Sequence, residues 1–98
     1  MVGRPTTAKH RQREMLEWLI EGLGTDIFTT HELWDFGIDR TFDPKPWPMY
    51  LKVAFNRLRR REDLAIALRR HPKIKKLEDF DEMKGGLRTR SILWECEA

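Results

Sequence analysis

At 98 residues the chain is expected to be one domain with room for a single core, because domains commonly run from roughly 50 to 200 residues. Apolar residues make up 40%, including four Trp and five Phe, and charged residues 36%, which excludes wholesale disorder and suits a small folded globule. A single cysteine excludes an internal disulfide framework, and no apolar run approaches the roughly 20 residues of a membrane-spanning helix.

Residues 1–7 read as a flexible polar tail and residues 8–98 as the domain. The tail has no apolar h-region, so a secretory signal is not expected and the reading is cytoplasmic. Thr6 or Thr7 can cap a helix from about 8 to 22, whose apolar stripe is Leu16, Leu19, Ile20 and Leu23 at i, i+3, i+4 and i+7. Met15 and Trp18 flank that stripe, and Gly22 and Gly24 punctuate its end. Asp26-Ile27-Phe28 is a short β-prone piece. Thr29 and Glu32 then stand at capping-box spacing, in which each side chain satisfies the other's orphan amide. A second helix is predicted over about 30–36, with Leu33, Trp34 and Phe36 on its apolar side and Gly37 ending it.

Residues 38–48 read as a loop, because Pro44, Pro46 and Pro48 each remove an amide donor. Pro48 also suits the start of the next helix. Leu51, Ala54, Phe55 and Leu58 form a second stripe, but Arg61 and Glu62 stand where it would continue. A new stripe starts at Leu64, Ala65 and Leu68, so the spacing predicts a kink or two helices meeting near Arg60, stopped by Pro72. Residues 73–96 read as two antiparallel strands around a polar loop at Gly85-Gly86. The second strand is the clearer, with Ile92, Trp94 and Cys96 alternating with polar positions and Leu93 as the exception.

Charge is distributed unevenly. Between Lys52 and Lys76 ten Lys or Arg face only Glu62 and Asp63, a net of +8, and nine cations against fourteen anions elsewhere leave −5. A basic block beside an acidic remainder is the footprint of a face that binds a polyanion. Each cation that neutralises a phosphate releases a counterion, so several together supply most non-specific affinity for nucleic acid.

The order helix, short strand, helix, loop, basic helix, strand, loop, strand resembles the winged helix-turn-helix architecture. Asp26-Ile27-Phe28 takes the first strand, Thr29–Phe36 the second helix, Pro48–His71 the recognition segment and Lys73–Cys96 the wing. The fold class expected is α+β: a small winged-helix domain with three to four helices followed by a two-stranded β-hairpin wing. The resemblance implies a duplex-DNA-binding protein, a transcriptional regulator or architectural factor that is nucleoid-associated. Its recognition helix would enter the major groove and its cationic wing would lie on the backbone. Either 48–60 or 62–71 can be that helix, and Glu62-Asp63 would repel phosphate, which favours the first.

Arg clamps guanine and Asn clamps adenine bidentately, which nominates Asn56, Arg57, Arg60 and Arg61 for base contact, with Lys52 and Arg59 beside them. Arg69, Arg70, Lys73, Lys75 and Lys76 suit phosphates, and Lys84, Arg88 and Arg90 bracket the wing turn. The plain alternative for Arg57–Arg61 is a solvated helix face. The four Trp are read as core; a stacking platform for single strands or RNA is the sharper alternative, with Trp47 and Tyr50 as candidates. An adaptor role is a further reading, through Glu14, Glu17, Glu21, Asp35, Asp39, Asp43 and the Phe42–Trp47 loop. His10, His31, His71 and Cys96 lack zinc-ligand spacing, and no catalytic constellation, cofactor motif or small-molecule substrate site is evident, so neither a metal nor an enzyme is expected. Oligomeric state stays open: DNA-binding domains often pair on half-sites as homodimers, and no long heptad seam is present.

Overall fold

The structure, a computed structural model, describes residues 8–41 and 47–97, apart from the side chains of Ala8, Phe80, Glu82 and Lys84. The expected tail and residues 42–46 of the proline loop lie outside these residues. Four helices and three strands follow in the order α1 (Ala8–Leu23), β1 (Ile27–Thr29), α2 (Thr30–Thr41), α3 (Met49–Asn56), α4 (Arg61–Arg70), β2 (Ile74–Lys84) and β3 (Leu87–Cys96). Among the described residues no helix is long and apolar enough to cross a membrane.

Of the first stripe, Leu16, Leu19 and Ile20 are buried and Leu23 is partly buried; the flanking Met15 is buried with them. Gly24 closes α1 at φ +81°, its amide donating to the Ile20 carbonyl at 3.1 Å. The capping box at α2 is formed on both sides: the Glu32 amide donates to Thr29 Oγ1 at 3.0 Å and the Thr29 amide to Glu32 Oε1 at 2.9 Å.

Gly37 does not end α2, which continues to Thr41. The residue is buried, and the Phe55 ring of α3 lies directly against it. The glycine is there for close approach between helices; a mid-helix glycine costs only about 1 kcal/mol of propensity, which packing offsets. The phase shift near Arg60 is a true break between α3 and α4. Asp63 Oδ2 accepts from the Arg59 amide at 2.9 Å and the Arg60 amide at 3.2 Å, fixing the start of α4 from within its first turn.

The expected two-stranded hairpin is part of a three-stranded antiparallel sheet with strand order β1-β3-β2. Phe28 pairs with Trp94 and Ile74 with Cys96, so β3 is central and buried on the core side. The polar stretch read as a loop is strand on both sides of a two-residue turn. Gly85 and Gly86 take φ +61° and +82°, the positive pair of a type I′ hairpin, where glycine is at no steric disadvantage. A register shift between Lys76 and Glu78 explains why alternation was weak in this strand: Leu77 is the extra residue. The hairpin leaves the body, and every described residue from Glu78 to Arg88 is exposed.

The core joins Leu16 and Leu19 of α1, Phe28, Leu33, Leu51, Phe55, Leu64, Leu68 and Trp94. Trp18 stacks on Trp47 with centroids 4.8 Å apart, and Trp47 meets Phe55 at 5.3 Å. Trp94 is 1% exposed, and its Nε1–H donates to Thr30 Oγ1 at 2.8 Å.

Candidate nucleic-acid interface

α4 presents Leu64, Ala67 and Leu68 to the core, at the i, i+3, i+4 spacing of one face. The residues between them, Glu62, Ile66, Arg69 and Arg70, are therefore turned outward and exposed. α4 packs on α2 and runs into β2, whereas α3 packs on α1. The basic block is thus carried by two helices whose main packing partners differ.

On α3, Asn56 and Arg57 are exposed at the C-terminal end and Lys52 is half-buried. Arg57 shares a shallow recess with Arg11 and Gln12 of α1. Arg11 was not among the cations singled out from sequence, because it lies about 45 residues from Arg57 in an otherwise mixed-charge helix.

Arg61 at the first turn of α4 and Arg90 of β3 line one groove of about 300 Å³. Ala65 and Ile92 form its apolar lining, with Thr30, His31, Glu62 and Thr89 completing it. His31 is 4% exposed; its Nδ1 is 2.8 Å from Ser91 Oγ and its Nε2 is 3.4 Å from Thr89 Oγ1. It ties the start of α2 to β3 and so holds the hairpin's base against the helices. No local pattern could have paired His31 with residues 58 and 60 positions downstream.

Lys76, Arg90 and Arg69 all act on Asp79 of β2. The Asp79 carboxyl is held below 3.8 first by the hydrogen bond from Lys76, and the attraction of Lys76, Arg90 and Arg69 adds to that against the opposing effect of burial. Lys76 Nζ is 2.9 Å from Asp79 Oδ2. Lys75 lies 3.5 Å from Glu95, and Arg88 lies 3.9 Å from Asp81. Exposed pairs of this kind are worth little, so a phosphate can displace them. Arg59, Arg60, Arg70 and Lys73 are exposed near either end of α4. The Lys84 side chain lies outside the described residues.

The single-strand reading loses one of its two candidates here. Trp47 is 4% exposed and its Nε1–H donates to the Arg40 carbonyl at 2.9 Å, so it is core and offers no stacking platform. Of the loop assigned to an adaptor role, Phe42, Asp43 and residues 44–46 lie outside the described residues. Cys96 is half-buried, and burial first, then Asp26 and Glu17, push its thiol above 9.0, away from the reactive thiolate. Among the described residues no group of His, Cys, Asp and Glu is placed to hold a metal ion.

Comparison of the chain with protein-family models, with curated proteins and with solved structures found no match.

Proposed function

We propose that this chain is a duplex-DNA-binding protein of the winged-helix kind, a non-enzymatic transcriptional regulator or architectural factor acting in the cytoplasm on the nucleoid. Two features support the fold reading. A helix, a short strand and further helices precede a long hairpin, and the short strand pairs with the hairpin's second strand to give β1-β3-β2.

The observation that carries the functional reading is that Arg61 of α4 and Arg90 of β3 flank one groove, and that Arg90, Arg69 and Lys76 all act on Asp79 of β2. A helix and a protruding hairpin thus offer cations on a common side, which is what a duplex with phosphates along both groove edges requires. On this reading α4, which leads straight into the hairpin, is the recognition helix, and α3 is scaffold packed on α1. That moves base reading away from Asn56 and Arg57 and towards the exposed face of Arg69 and Arg70. Glu62 on the same face would select against a phosphate at its own position and can accept from a cytosine amino group.

A duplex titration at two salt concentrations tests the proposal. Four neutralised phosphates give a slope of about −3.6 in log K against log salt, or roughly a hundredfold loss between 50 and 200 mM. Absence of binding at the lower salt, or a flat slope, overturns it.

A further inference from the structure

The groove between α4 and β3 has more than cations. At about 300 Å³ it sits at the small end of ligand sites, and Ala65 and Ile92 give it an apolar wall. A backbone phosphate of DNA has no use for that wall, since it offers only oxygens and sugar edges. Two guanidiniums reach the groove from different elements, Arg61 from helix and Arg90 from strand. One guanidinium fork already satisfies a planar carboxylate; two from separate walls match the several oxygens of a phosphate. Thr89, half-buried in the lining, carries a hydroxyl that lies 3.4 Å from His31 Nε2.

We propose that this groove is a binding site for a small phosphate monoester with a compact apolar body, its phosphate between Arg61 and Arg90 and its body on Ala65 and Ile92. Glu62 also lines the groove and opposes the anion, so it sets an upper limit on affinity. The ligand occupies cations that the DNA-binding reading assigns to the duplex. Resting on that reading, the site is regulatory: the monoester and the duplex compete, and binding of the small molecule releases DNA.

The test is an amide NMR titration of the full chain with phenyl phosphate, alongside inorganic phosphate and chloride at equal ionic strength. Saturable shifts confined to residues 30–31, 61–65 and 89–92 are expected, at lower concentration for phenyl phosphate than for inorganic phosphate. Arg90→Gln, at an exposed position, weakens binding on the order of tenfold, the loss of one charge-assisted contact. Glu62→Gln tightens it, a gain that structural damage does not produce. Equal response to chloride, shifts spread over the whole surface, or indifference to both substitutions overturns the site. Duplex affinity is then measured with and without phenyl phosphate. A rise in apparent Kd supports competition, and an unchanged Kd at a saturated groove overturns it. If the groove titrates and no duplex binds, the site stands and the DNA reading falls; if the duplex binds and the groove does not titrate, the reverse holds.

Discussion

Gly37 and Phe55 are in contact that admits no side chain: a Cβ on Gly37 would stand 2.4 Å from Phe55 Cε1 and 2.5 Å from Cζ. Phe55 is 2% exposed and is itself held by Trp34 and Trp47, at centroid distances of 5.3 Å each, so the ring has nowhere to retreat. Gly37→Ala should therefore destabilise by about 1–3 kcal/mol through overpacking, against the roughly 1 kcal/mol that alanine gains in helix propensity. Urea denaturation decides the sign, and a stabilised variant would mean that α2 and α3 are less closely packed than described.

The same contact explains a misreading. Gly37 looks like a helix stop because glycine usually marks one, and only the ring packed on it from 18 positions away reveals the other use. Features set by near neighbours were legible: the Thr29–Glu32 box, the Leu16–Ile20 stripe, the break near Arg60 and the Gly85-Gly86 turn. Features set by distant partners were not. Ile27–Thr29 looks like an isolated β-prone piece until Leu93–Glu95 pairs with it. The charge block reads as one stretch in sequence, but it is carried by two helices, α3 packed chiefly on α1 and α4 chiefly on α2 and β2.

Trp94 was expected in the core, and it is buried with its indole N–H committed to Thr30 Oγ1. Trp94→Ala should cost about 3–5 kcal/mol. Thr30→Val keeps the volume but strands the buried N–H, at about 1–3 kcal/mol. Thermal denaturation of both separates packing from hydrogen bonding, and a neutral Thr30→Val would deny the bond its role.

His71 is 3% exposed and joins three elements. The Lys73 amide donates to its Nδ1 at 3.1 Å, which leaves Nε2–H to donate to Glu17 Oε2 of α1 at 2.9 Å. Removing the ring strands the Lys73 amide as well as opening space, so His71→Ala should cost more than about 1 kcal/mol. Glu17→Gln keeps an acceptor at a site whose side chain is 57% exposed and should cost little. Chemical denaturation that ranked the two in reverse would place the energy in the ion pair rather than in the buried ring.

The Asp79 carboxyl titrates below its usual 3.8, chiefly because Lys76 donates to it. A depressed carboxylate stabilises the fold above its unfolded value and loses that contribution as pH falls through the lower, folded one. Following the side-chain carbon by NMR should give a midpoint under 3.8, and Lys76→Gln should move it upward. Arg90→Gln should move it the same way by less. An unmoved midpoint in the Arg90 variant would separate Arg90 from Asp79 and weaken the grouping of these cations around it.

The division of the basic block yields a comparison in which charge cancels. Arg57→Ala with Arg60→Ala and Arg69→Ala with Arg90→Ala each remove two exposed cations, so any effect of net charge on duplex binding is the same in both. What differs is place: Arg57 shares a recess with Arg11 of α1, whereas Arg69 and Arg90 both attract Asp79 of the hairpin. If α4 and the hairpin grip the duplex, the second pair should lower the salt slope by about two and the first by about one at most, since each lost phosphate contact removes roughly one counterion. Both variants should keep their thermal midpoints, because exposed arginines contribute little to stability. The opposite ranking would make α3 the reading helix and return sequence recognition to Asn56 and Arg57. A loss of folding in either variant would show those arginines to be structural.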